Sequence, residues 1–273
     1  MSLLTPGHTL GEMLDDEDAG ADVIAARTPT TRRRRPLLGY VAMPAFLAAA
    51  CLGLYWWVQS KELDSIEHRL VNADVIWDGL VEHVKLTAVS TFFVILVAVP
   101  LGILLTRTFA KWITPAVIGF ANVGQMVPSI GVLVLFALVW TIGFRPAIVA
   151  LVVYSVLPVL RNTMVGLQQV DRNLIEAGRG MGMSKLRVLV RIELPLAVPV
   201  ILAGVRTALV INVGTATLAT FVNAGGLGDI ISGGLSTSRD TVIITGAVLT
   251  AALALSIDWV GGIAEDLLRP KGL

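Results

Sequence analysis

Apolar residues in this chain come in blocks rather than alternating. Mostly apolar runs cover residues 37–58, 84–106, 114–141, 146–164, 195–222 and 241–264. Each is long enough for a bilayer's hydrocarbon core, which takes about 20 residues of helix to cross. Lipid offers backbone N–H and C=O groups no partner, so each run is expected to be helical. The pattern therefore predicts an all-α, polytopic membrane protein with about six spans. An even number places both termini on one side.

Composition agrees. Of 273 residues, 55% are hydrophobic and only 15% charged, and mean hydropathy is +0.78. A soluble domain carries about 25% charged residues. Cys51 is the single cysteine, which excludes an internal disulfide and a cysteine-based zinc site. His8, His68 and His83 are expected outside the apolar cores, so no metal site and no histidine-based catalysis is expected.

Charge distribution orients the spans. Residues 1–36 join an acidic stretch, EMLDDEDAGAD, to a basic one, TPTTRRRRP, without an apolar period. They read as a disordered cytoplasmic tail. A signal peptide ending near Ala48–Ala50 is the competing reading, and the long tail and long apolar run oppose it. The segments beside Arg32–Arg35, Arg107, Lys111, 161–191 and 269–273 hold fourteen Lys and Arg, against five on the other side. The richer side is expected to be cytoplasmic. Segment 59–83 is net acidic and is expected outside, as a short amphipathic helix near the surface. The tryptophans at 56, 57, 77, 112, 140 and 259 fall near span ends, the interfacial belt position.

One polar island interrupts the apolar pattern on the cytoplasmic side, VDRNLIEAGRGMGMSKLRVLVRIELP, residues 170–195. Leu174, Ile175, Met181, Met183, Leu186 and Val190 recur at roughly helical spacing around a glycine-rich break. Asp171 is a candidate cap, and Pro195 opens the next span. A helix, a glycine turn and a second helix make a docking shape; an ordinary amphipathic surface helix is the plainer alternative. No phosphate loop is present: G-x-x-x-x-G-K-[ST] is missing, and G-x-G-x-x-G fails because residue 183 is Met. ATP hydrolysis is therefore not expected in this chain.

The island resembles the "EAA" signature of bacterial ABC importer permeases. It reads Glu176, Ala177, a small Gly178, then Gly182, then nine residues to Ile192, Leu194 and Pro195. The stretches 121–138, 150–171 and 193–235 resemble the osmoprotectant branch, which carries glycine betaine, choline and carnitine. The likeness covers roughly 80–265, with no counterpart for the tail before residue 37. It implies a type I permease fold: a core permease domain at 84–268, a coupling loop at 171–194, and a short cytoplasmic tail at 269–273. It implies docking of a separate ATPase through Glu176, Ala177, Gly178, Gly182, Met183 and Leu186. ATP and Mg would be bound by two ATPase partners, with no cofactor in this chain. A second copy or homologous permease and an extracytoplasmic binding protein complete the implied complex, in the bacterial inner membrane. No nucleic-acid partner is implied.

Polar positions in the spans suggest a pathway. Asn122, Gln125 and Ser129 surround Pro128, where a helix loses a backbone hydrogen bond, so a substrate gate is expected there. A purely structural kink is the alternative. Asn212 and Thr215 are further pathway candidates, and Gly204 and Gly214 are expected at close helix contacts. Arg206 is expected in a structural or gating role, with Asp258 as candidate partner. The glycine-rich segment 223–235 offers Gly225, Gly226, Gly228 and Asp229 for contact with a binding protein, or is a simple turn. No aromatic cluster suits a quaternary amine, so strong recognition is expected in a separate protein. The competing classes are a permease for another nutrient such as methionine, a secondary transporter, and a membrane enzyme. The last two lack a proton-linked acid series and a buried base or metal set, respectively.

Overall fold

The computed structural model describes residues 37–268, all secondary structure there being helical. The expected tails at 1–36 and 269–273 lie outside the described residues. The chain divides after Ala42, within its first helix, and the account below concerns the part from Met43 onward.

Helix α1 spans Leu37–Gln59, close to the expected 37–58, and none of its residues from Met43 on is buried. A short helix α2, Ser65–Leu70, follows. Its capping box is complete. Asp64 Oδ1 accepts the N–H groups of Ile66 and Glu67 at 2.9 and 2.8 Å, and Glu67 Oε2 accepts the Asp64 N–H at 3.0 Å. Helix α3 then runs from Ala73 to Leu105, with Asn72 Oδ1 capping the Val75 N–H at 2.9 Å. The amphipathic segment expected over 59–83 is thus shorter. Its second half belongs to a 33-residue span, because the cap at Asn72 starts the helix eleven residues before the apolar run.

The expected span 114–141 is two helices, α4 (Thr114–Met126) and α5 (Ser129–Val139), bent by 96°. Proline crowds the residue before it out of helical geometry. Val127 is accordingly extended, at φ −72° and ψ 132°, and Pro128 begins α5 rather than kinking a continuous helix. The described residues therefore hold five helices long and apolar enough to cross a membrane and one bent pair.

Helix α6 (Phe144–Gln168) is the hub: half of its apolar window is buried, against a third for α3. Arg161, expected in the loop, lies inside α6. After α6 come α7 (Arg172–Gly180), α8 (Lys185–Val188), a π-turn at Leu189–Glu193, and α9 (Leu194–Ala216). A 3₁₀ segment, Thr217–Val222, leads to α10 (Gly228–Thr237) and α11 (Asp240–Leu268).

Small residues set the packing of α3, α6 and α9, as they do where backbones approach closely in lipid. A Cβ on Gly102 would lie 2.8 Å from Thr163, one on Gly166 3.1 Å from Ala197 O, and one on Gly204 2.6 Å from Asn162 Cβ. Gly204 thus makes its expected close contact; Gly214 has no atom within 4 Å of such a Cβ and makes none. Helices α3 and α9 run antiparallel, so His83 meets Val213 at one end and Arg107 meets Glu193 at the other.

Candidate coupling element and pathway

The polar island folds as a helix folded back on a turn. Asp171 caps α7 by accepting the Asn173 N–H at 2.9 Å. At the other end, the Met183 N–H donates to Gly178 O at 3.1 Å and the Gly182 N–H to Arg179 O at 3.0 Å. That pair of bonds is a Schellman stop, which needs a left-handed residue at its turn. Gly182 supplies it, with φ +82°. Ser184 then caps α8, its Oγ accepting the Arg187 N–H at 3.3 Å.

The two ends of the island touch. Gly178 is buried, and a Cβ there would lie 2.6 Å from Ile192 Cδ1. A small residue at 178 and a branched apolar one at 192 are one contact, which is why these distant positions form one pattern. What remains outward is mixed. Glu176 and Ala177 are exposed, Met183 is half-buried, and Leu174, Met181, Leu186 and Val190 are exposed apolar side chains. Met181 and Leu186 are 76% and 69% exposed.

Behind this element lies an ion pair that sequence reasoning missed. Glu193, an unassigned position between Ile192 and Leu194, is buried, and its Oε2 accepts from Arg107 Nη2 at 2.6 Å. Arg107 counted only as an orienting charge. The available signal was a lone carboxylate at the mouth of an apolar span, where an unpaired charge is costly.

A model of the family described as "Binding-protein-dependent transport system inner membrane component" matches residues 98–270. The chain belongs to this family. This inner-membrane component is 46% identical over 192 residues to the glycine betaine/carnitine/choline transport system permease protein OpuCB of Bacillus subtilis. That alignment covers 70% of the chain and 88% of the relative. It is 38% identical over 216 residues to the osmoprotectant import permease protein OsmW of Salmonella typhimurium, covering 77% of the chain and all of the relative. In structure it resembles a chain of the inward-facing MetNI methionine ABC transporter, with TM-score 0.64 and 28% identity, over 73% of the chain and all of the other. The expected class, a multi-pass permease of an ABC importer, stands.

In this inner-membrane component the pathway candidates fall into two separate seams. Asn122 Oδ1 accepts from Arg161 Nη2 at 2.7 Å, and Gln125 Nε2 donates to Tyr154 O at 2.9 Å, so both tie α4 to α6. Pro128 is exposed and Ser129 half-buried at the bend. Asn212 is fully buried between α9 and α3, donating from Nδ2 to Thr91 Oγ1 at 3.0 Å. Thr215 is buried too. Asn212 Oδ1 and Thr87 Oγ1 in this seam have no partner.

Arg206 has the partner expected for it, with Nε and Nη2 each 2.5 Å from an Asp258 oxygen, and Glu265 lies 3.8 Å from Nη1. This two-pronged pair ties α9 to α11.

The glycine-rich segment is packed inward. Gly226 and Gly228 are buried, and a Cβ on Gly228 would lie 2.1 Å from Thr217 O. Their lack of side chains is accounted for within the chain. Gly225 is half-buried, at φ +81°, and the Asp229 carboxylate is exposed and accepts from Thr220 Oγ1. The clasp is His83, which is not outside the apolar core as expected but fully buried in α3. Its Nδ1 accepts the Leu227 N–H at 3.2 Å, so the proton sits on Nε2, which donates to Val213 O at 2.9 Å. Beside it Glu82 Oε2 accepts the Gly226 N–H at 3.0 Å.

Proposed function

We propose that this chain is the translocation subunit of an importer for osmoprotectant quaternary amines such as glycine betaine, choline and carnitine. The observation that carries the mechanism is the exposed apolar face of α7, α8 and the turn between them, with Glu176 set among basic side chains, held on a fixed base by the Gly178–Ile192 contact. Such a face is suited to a cleft in a cytoplasmic partner. Two ATPase subunits, which bind ATP and Mg, dock there through Glu176, Ala177, Gly182, Met183 and Leu186, with Gly178 fixing the base. Both termini and this element lie in the cytoplasm, on the Lys- and Arg-rich side of the inner membrane.

A second permease, the same chain or a homologue, completes the pathway. The bend at Pro128, with Asn122, Gln125 and Ser129, forms the gate. Asn212 and Thr215 serve from the α3–α9 seam. An extracytoplasmic binding protein supplies the solute and meets the surface around Asp229 and Gly225. The substrate class rests on the relatives' names.

The test is reconstitution of the chain with its ATPase and binding protein in proteoliposomes. ATP-dependent uptake of labelled glycine betaine or choline is the expected result. Uptake of methionine with neither amine carried overturns the substrate class alone, and uptake without any ATPase overturns the whole reading.

A further inference from the structure

Glu193 is out of place by charge. The groove between connector 106–111 and the island is lined by Arg107, Lys111, Arg172, Arg179 and Lys185, and Glu193 is the only carboxylate lining it among the described residues. It is also the least solvated partner of its pair, with its side chain 9% exposed against 32% for Arg107. The arginine is held on three sides. Its Nε donates to Ile103 O at 3.3 Å, Nη1 to Glu193 Oε1 at 3.4 Å, and Nη2 to Glu193 Oε2 at 2.6 Å. Two-pronged pairs of this kind fix orientation as well as distance.

Position gives the pair its meaning. Glu193 is the last residue of the π-turn Leu189–Glu193, whose Ile192 carries α7 through Gly178. Such turns recur at functional sites and are local departures from the helical ladder. Arg107 stands just past the end of α3. Apolar contacts also link the island's base to α3, through Ile103 and Val99 near Leu189 and Leu194, but apolar surfaces slide. The ion pair resists both stretch and shear. From Leu105, two residues before Arg107, back to His83, α3 covers 23 residues, about 33 Å of helix. At His83 it grips the glycine-rich segment through the Leu227 N–H.

We infer that Arg107 and Glu193 form the strut that passes displacement of the docking element into α3, and so to the glycine-rich segment at its far end. Both are positioning residues for transport, and the inference rests on the proposed docking of an ATPase at α7 and α8. A continuous helix gripped at both ends, with Pro100 as its one interior proline, lets one domain-scale motion reach both faces of the membrane, without a nucleotide site in this chain.

The test uses the full complex in proteoliposomes, with ATP hydrolysis and glycine betaine uptake measured together. Arg107→Gln and Glu193→Gln each lower uptake per ATP by about tenfold, within the usual range of coupling between sites, while the ATPase still co-purifies. The reversal Arg107→Glu with Glu193→Arg recovers much of the ratio, which ties the effect to the pairing of the two side chains. Arg107→Lys keeps the charge and loses the two-pronged grip; it inserts like the parent and lowers the ratio part of the way. A ratio equal to the parent's in Arg107→Lys and in either Gln variant overturns the strut, as does loss of hydrolysis, uptake and yield in proportion. A parent complex without an ATPase removes the docking reading before any variant is made, and the strut with it.

Discussion

Ile192 fills the space that a side chain on residue 178 would need, with its Cδ1 2.6 Å from the position of a Cβ there. The atom in the way is the tip of a flexible side chain, so Gly178→Ala is expected to be absorbed by a rotamer shift. Gly178→Leu is not. Overpacking of this kind costs about 1–3 kcal/mol and moves backbone. The expected result is normal insertion with α7 displaced, seen as faster hydrogen exchange over 172–180 and weaker ATPase co-purification.

Gly182 tests the same element differently. At φ +82° a side chain is strained by about 1–2 kcal/mol whatever space surrounds it. Gly182→Val should loosen the Schellman stop and lower uptake per ATP, and Gly182→Asn, the next best left-handed residue, should do so least. Equal ratios for both would remove the turn's role.

Much of this architecture was legible. Long apolar runs announced the spans, because lipid forces every buried backbone group into a helix. The island announced itself because a polar, glycine-broken segment has no place within lipid. What escaped were features set by pairing across the fold. The Asn72 cap extends α3 beyond its apolar run, and Val127 converts a kink into a 96° break. His83 was expected outside the apolar cores and Glu193 stayed unassigned because their partners, Leu227, Val213 and Arg107, are distant in sequence. Asn212 and Thr215 were legible as polar positions within a span, but their burial, and the Asn212 bond to Thr91 across the α3–α9 seam, were not, because polarity alone does not give a partner.

The Arg206–Asp258 pair predicts an asymmetric response. Asp258→Asn removes the two-pronged partner and leaves the guanidinium the more distant Glu265, 3.8 Å from Nη1, so the cost is at most about 3 kcal/mol. Thermal unfolding in detergent should fall by several degrees. Arg206→Met with Asp258→Leu should recover most of the loss, since apolar replacements of whole ion pairs are often neutral or better. A double variant as unstable as the single one would contradict this account of the pair.

His83 predicts a local loss. His83→Leu removes both partners at once and leaves the Leu227 N–H and Val213 O buried and unpaired. Each such group costs about 1–3 kcal/mol. Hydrogen exchange over 224–230 should accelerate well before global unfolding. Unchanged protection there would sink the clasp.

Acid should loosen the α2 cap. The Glu67 N–H holds the Asp64 carboxyl below its ordinary value of 3.8, against desolvation, with help from the Ile66 N–H and the Arg239 and Arg69 cations. A lowered folded value means stability that is present above the ordinary value and lost as pH falls through the folded one. The Asp64 contribution is therefore intact at neutral pH and disappears only below about pH 4. Protection of residues 65–70 measured down a pH series checks this, and Asp64→Asn should flatten the response.

The central claim is that the island meets a nucleotide-hydrolysing partner. Glu176→Cys, in a chain whose exposed Cys51 is replaced by serine, places a single thiol on the outward face of α7. A short photo-crosslinker on that thiol, activated in native membranes, should capture an ATPase subunit as the main adduct. Labelling of the same thiol by an impermeant reagent from outside intact cells, or an adduct containing no ATPase, would contradict the account.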